Sequence, residues 1–160
     1  MPEVHIVRDP RTSRSLLIAA ALSSFAIALA HLGIMFMGAP GYRYFGAPGL
    51  AVQVEHGSPV PALLCIGVAA ILGIWGLYAL AGAGRIRPLP LLRVGLLFIG
   101  AIYLLRGLLG VPQLVWVLAG RNAAPLRYLL FSLVSGATGV LYLAGLFTLW
   151  RATRATSEEH

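Results

Sequence analysis

VPALLCIGVAAILGIWGLYALAGA, residues 60 to 83, contains no Asp, Glu, Lys or Arg. It is about as long as the roughly 20 residues an α-helix needs to cross the hydrocarbon core of a bilayer, and no polar stripe of helical period runs through it. Leu16 to Met37 and Tyr128 to Trp150 are equally free of charge, and Leu89 to Val111 holds only Arg93 near its start and Arg106 near its end. The pattern predicts an all-α integral membrane four-helix bundle, with transmembrane helices at about 16–37, 60–83, 89–111 and 128–150. One membrane domain over residues 16–150 is then flanked by short tails at 1–15 and 151–160.

A composition of 59% hydrophobic and 11% charged residues supports this class, because soluble domains carry about a quarter charged residues. A soluble four-helix bundle would need a polar face on every helix, and the second and fourth runs have none. The net charge of +7 comes from twelve arginines and no lysine. On such a chain it is first a topology signal, so nucleic acid is not the expected partner. Arg8, Arg11, Arg14, Arg85, Arg87, Arg93, Arg151 and Arg154 fall on one side of the spans, and Arg43, Arg121 and Arg127 on the other. By the positive-inside rule both termini are expected in the cytoplasm of a bacterium with the bundle in its inner membrane. Arg8 to Arg14 followed by apolar residues and Ala28-Leu29-Ala30 resembles a signal peptide, but the apolar run continues to Met37, too long for an h-region. Cys65, the single cysteine, reads as a small buried hydrophobe.

The connection from Gly38 to Pro59 contains a repeat, Gly38-Ala39-Pro40-Gly41 and Gly46-Ala47-Pro48-Gly49, where glycine and proline are expected to break helix and make turns. Between the copies, Tyr42 and Tyr44 flank Arg43; with Trp116 and Trp150 these aromatics are expected as anchors at headgroup level. Pro88 and Pro90 are expected to start the third helix, since proline in a first turn loses no hydrogen bond. Leu114 to Leu118 is too short to span and is expected to lie along the surface. Small residues let helix backbones approach in lipid, so Ser132 with Gly136, Ser135 with Gly139, and Ala69 with Gly73 are expected packing seams, within the bundle or between copies of a homo-oligomer.

Few polar groups lie deep in the spans. At 1.5 Å rise per residue, Arg106 is expected about 8 Å and His31 about 9 Å from the outer ends of their helices. Arg106 then either snorkels to the surface or faces a polar interior. Tyr103 lies one turn from it, while Glu55-His56 brings the only carboxylate expected on the outer side, available to Arg106 or Arg43. His31, Tyr103, Arg106, Glu55, His56 and Arg43 thus form a candidate outward-facing site for an anionic lipid headgroup, a quinone or a small anion. No cofactor is implied: bis-histidine haem is disfavoured because only His31 lies in a span, and a zinc site from His31, His56 and Glu55 would need the loop to fold inward. No nucleophile motif, phosphate loop or metalloprotease motif is present. Proton-driven transport is disfavoured because no span holds Asp or Glu.

The expected role is therefore a non-catalytic subunit or accessory factor beside a membrane-protein partner. A small transporter or a lipid- or quinone-binding redox-associated protein is the alternative. Four spans with a long first outer loop resemble the architecture of several bacterial families, among them the DoxX-like redox-associated membrane proteins. The likeness is one of span count; no motif matches residue by residue, and no site is carried over.

Overall fold

The computed structural model describes residues 10–119 and 126–155. It is all-helical over these residues, in the order α1 (Pro10–Met37), α2 (Ala39–Tyr44), α3 (Pro48–Glu55), α4 (Val60–Gly82), α5 (Leu92–Leu108), α6 (Gly110–Leu118) and α7 (Leu126–Ala155). Four stretches are long and apolar enough to cross a membrane: Arg11–Met37, Val60–Gly82, Leu92–Val115 and Leu126–Arg151. The third of these is counted through a break at Leu109.

Each long helix buries a stripe in which small or hydroxyl-bearing residues are interspersed with a few leucines and isoleucines, and turns most of its other large aliphatic side chains outward. On α1 the stripe is Leu17, Ala20, Ala21, Ser24 and Ala28; on α4 it is Cys65, Ala69, Leu72, Gly76 and Ala79; on α5, Leu96, Ile99, Gly100 and Tyr103. Leu63, Ile71, Ile74, Leu97, Phe98 and Leu105 are exposed. This period of 3.6 with small residues inside is what lets long helices pack closely. α1 packs along both α4 and α7, and α5 packs along α7, while α4 and α5 share less contact. The closest approach is between α5 and α7, where a Cβ on Gly107 would stand 2.5 Å from the Gly136 Cα. On α4, a Cβ on Gly76 would meet the Phe25 ring at 2.7 Å, whereas Gly73 has nothing within 4 Å. The expected Ala69–Gly73 seam is thus in fact an Ala69–Gly76 seam against α1.

Several boundaries differ from expectation, each for a local reason. α1 begins at Pro10 rather than at Leu16, with proline in the first turn where its missing N–H is not needed. α7 extends beyond Tyr128 and Trp150 at its two ends. Pro88 and Pro90 precede α5 instead of starting it: residues before prolines are driven toward extended backbone, and the helix begins only after Leu91, which is left-handed at φ 51°. The Tyr78 hydroxyl donates to the Pro90 carbonyl at 3.3 Å and holds this connection to α4. α5 stops at Leu108, short of Val111, because Pro112 has no N–H for the Leu108 carbonyl; a new helix, α6, takes over from Gly110.

The repeated Gly-Ala-Pro-Gly does break the chain, but into helices rather than open turns. Gly38 (φ 64°) follows α1 and Gly46 (φ 87°) follows α2, both in a conformation that glycine adopts without strain. Proline two residues later sits in the first turn of α2 and of α3. α2 then folds back on α1, so tightly that a Cβ on Gly41 would lie 2.7 Å from that of Met37. Phe45 stacks on Phe131 of α7, with ring centroids 5.2 Å apart, so α2 and α3 roof one end of the bundle. The connection between α4 and α5 lies at the opposite end.

Candidate ligand cavity

Beneath the roof, the four long helices line a partly open cavity of about 770 Å3. α1 contributes Ser23, Ile27 and His31, α4 contributes Cys65, Val68 and Trp75, and α5 contributes Tyr103 and Arg106, with Phe131 and Ser135 from α7 and Tyr42 from α2. The structure brings His31, Tyr103 and Arg106 to one wall system, although they lie on two helices far apart in sequence. Arg43 and Glu55 do not line the cavity: they pair with each other on the exposed surface of α2 and α3, a short-range match made possible when the roof folds. His56 is exposed just past α3.

The polar groups of the wall are tied to their own helices and to one another. The His31 Nδ1 lies 2.8 Å from the Ile27 carbonyl; a carbonyl only accepts, so Nδ1 carries a hydrogen and donates it. Tyr103 is only 4% exposed and donates to Ser24 at 3.1 Å. Tyr142 donates to the Trp75 carbonyl at 2.8 Å, which leaves Ser24 to donate to Tyr142 across 2.9 Å. The three hydroxyls form one directed chain joining α5, α1, α7 and α4. It ends on a backbone carbonyl, so it braces the cavity floor and has no exit for a proton. Trp75 meets Tyr103 edge-on at 5.2 Å and Tyr142 stacks on Tyr103 at 5.7 Å. Nearby, Thr138 donates to Val134 at 2.8 Å and so accepts from Ser23 at 2.6 Å.

Arg106 sits in the last turn of α5, nearer the helix end than its expected depth. Its Nη1 donates to Ser132 at 3.4 Å, and Ser132 donates in turn to Gln113 of α6 at 3.4 Å. Both contacts are long and neutral. Glu55 is the only carboxylate among the described residues and is committed to Arg43, so Arg106 faces the cavity with no ion pair among them. Arg127 at the start of α7 lies over the rings of Tyr44 and Tyr128, at 4.8 and 5.1 Å, and its buried Nε has no hydrogen-bond partner.

Tyr42, expected beside Tyr44 at a surface, is instead 2% exposed and forms part of the roof. Its hydroxyl has no oxygen or nitrogen partner and only the Cys65 thiol beside it. Burial, and next the adjacent Cys65 thiol, push it up to about 12, so it stays a neutral donor at physiological pH. Tyr44 and Trp150 are exposed; Trp116 lies on α6, and its side chain, like Arg121 and Asn122, is outside the described residues. On α7, Ser132, Gly136 and Gly139 form the seam with α5, where a Cβ on Gly139 would meet the Leu104 nitrogen at 2.7 Å. Ser135 turns to the cavity. Among the described residues no three His, Cys, Asp or Glu side chains gather to hold a metal.

The brace of Ser23, Ser24, Thr138 and Tyr142 was not singled out as a site by its sequence. Its signal was there: hydroxyl side chains in the middle of otherwise apolar runs need partners on neighbouring helices.

No family model, curated protein or solved structure matches the chain. The class that fold and cavity define is an all-helical bundle with four helices of membrane-spanning length and apolarity around a cavity near one end. The likeness to DoxX-like proteins stays one of span count.

Proposed function

We propose that the protein is a multi-pass bacterial inner-membrane protein, both termini cytoplasmic, that holds a membrane-borne amphipathic ligand as a non-catalytic accessory subunit. The observation that carries this reading is the cavity beneath α2 and α3, mainly apolar, with His31, Tyr103 and Arg106 among its few polar lining residues. Its volume lies within the roughly 300–1,000 Å3 usual for small-molecule sites. The contacts between α4 and α5, Tyr78 against Gly95 and Trp75 on Tyr103, are toward the inner end and the middle. Leu64 and Val68 of α4 line the cavity and are exposed on the bundle surface as well. A chain leaving the cavity there passes into lipid. The exposed aliphatic surface supports insertion, and the arginine asymmetry supports the orientation. The hydroxyl brace ends without an outlet and no catalytic constellation is built on it, which favours binding over turnover.

The test is native mass spectrometry of protein extracted in mild detergent. A lipophilic adduct is expected on the wild type, reduced in Ala30→Phe, which puts a ring on the cavity lining, and retained by Leu97→Phe on the outer surface. Equal adducts on all three proteins would remove the cavity from the account. A stable protein partner in the same extract is expected if the accessory role holds.

A further inference from the structure

We infer that the ligand is an anionic single-headed amphiphile, a long-chain carboxylate or phosphate, bound with its head on Arg106 and its chain in the apolar part of the cavity. This inference rests on the cavity reading above and adds the charge of the occupant.

The argument is one of unmatched charge. Arg106 is exposed in the last turn of α5, and it lines a cavity whose other walls are mainly aliphatic and aromatic. A cation in such surroundings is tolerated when it is paired or hydrated, and its one side-chain acceptor, Ser132 at 3.4 Å, is neutral and distant. The carboxylate that would neutralise it is taken: Glu55 serves Arg43 on the far side of the roof. The remaining acidic residues, Glu3, Asp9, Glu158 and Glu159, belong to the two tails, outside the described residues. Among the described residues, Arg106 and Arg127 thus leave the roof end with excess positive charge. The guanidinium presents several N–H groups toward the cavity, and the Tyr42 hydroxyl in the roof has no oxygen or nitrogen partner. A head with two oxygens and a negative charge complements that set, since guanidinium and carboxylate or phosphate match in fork geometry. An uncharged head leaves the cation unpaired.

Cys65, the only cysteine of the chain, lines the same cavity and reports its occupancy. The full-length protein is placed in nanodiscs of uncharged-at-neutrality phosphatidylcholine, and alkylation of Cys65 by a lipid-soluble maleimide is followed by intact mass. Palmitate and palmitoyl lysophosphatidate are compared with hexadecanol, which has the same chain and no charge. The anions are expected to slow labelling and hexadecanol to leave it unchanged. Arg106→Gln is expected to weaken protection by the anions by about tenfold or more, the scale of one charge-assisted hydrogen bond, and Arg106→Lys to retain part of it. Protection by palmitate alone or by lysophosphatidate alone assigns the head as carboxylate or phosphate. If hexadecanol protects as well as palmitate, or Arg106→Gln keeps full protection, the anionic assignment falls and the cavity reading stands. If no amphiphile changes the labelling rate, both fall. Where Cys65 labels too slowly to follow, quenching of Trp75 fluorescence by chain-brominated palmitate and hexadecanol, with Trp75→Phe as the control, gives the same comparison.

Discussion

A buried hydroxyl without an oxygen or nitrogen partner costs about 1–3 kcal/mol, and Tyr42 carries that cost in the roof of the cavity. Tyr42→Phe is expected to stabilise the empty protein by roughly 1 kcal/mol, measured as a raised melting temperature in detergent. Its pH dependence has a sign. The folded-state value of about 12 lies above the ordinary 10.0, so the stability this group contributes is complete below pH 10 and is lost as pH rises from 10 to 12. The difference in stability between wild type and Tyr42→Phe should therefore be flat below pH 10 and change only above it. Glu55→Gln is expected to cost less than about 1 kcal/mol, because the pair with Arg43 is solvent-exposed, and to leave cavity occupancy unaltered; a large loss would return Glu55 to the site. His31, Tyr103 and Arg106 were legible in the sequence because polar groups in apolar runs have few places to go. For Glu55 the sequence left two partners open, Arg106 or Arg43, since a loop charge takes whichever partner the loop's own folding brings near, and that is Arg43; His56 ends exposed past α3.

At the scale of elements, the seam between α5 and α7 is set by backbone contact. A methyl on Gly107 would press on the Gly136 backbone, which cannot turn aside, so Gly107→Ala is expected to cost about 1–3 kcal/mol, read as a lowered melting temperature, whereas Gly73→Ala, facing open space, is expected to change little. Equal effects would place the seam elsewhere. The four long helices and the small-residue face of α7 could be read in advance because length, apolarity and small side chains are local properties. The roof could not be read fully. Gly-Ala-Pro-Gly announces a stop and a start, but helices as short as α2 and α3 form only with tertiary support, here from Phe131, Met37 and Ile34. The end of α5 was misplaced for the opposite reason: apolarity runs on through Val111, while the backbone obeys Pro112.

For the whole molecule, the solvent decides what a surface charge does. Phe98 is 64% exposed in the body of α5. In lipid, Phe98→Arg is expected to cost about 2.5 kcal/mol or more and to reduce the amount of protein recovered in membranes. In water the same change would be harmless or would improve solubility, so undiminished recovery would count against a bilayer setting. Reporter fusions after His160 and within residues 41–55 test orientation, with an active periplasmic reporter expected only at the second position.

The contact of Gly107 with Gly136 also sets which wall can give. Two main chains resting on each other have no rotamers through which to loosen, so α5 and α7 behave as a fixed jaw. α4 bears on α1 through side chains such as Phe25 at Gly76, which can repack. Guests of different girth would then be accommodated first by side-chain repacking along the α1–α4 side, and the arginine-bearing side of the chamber would keep its dimensions.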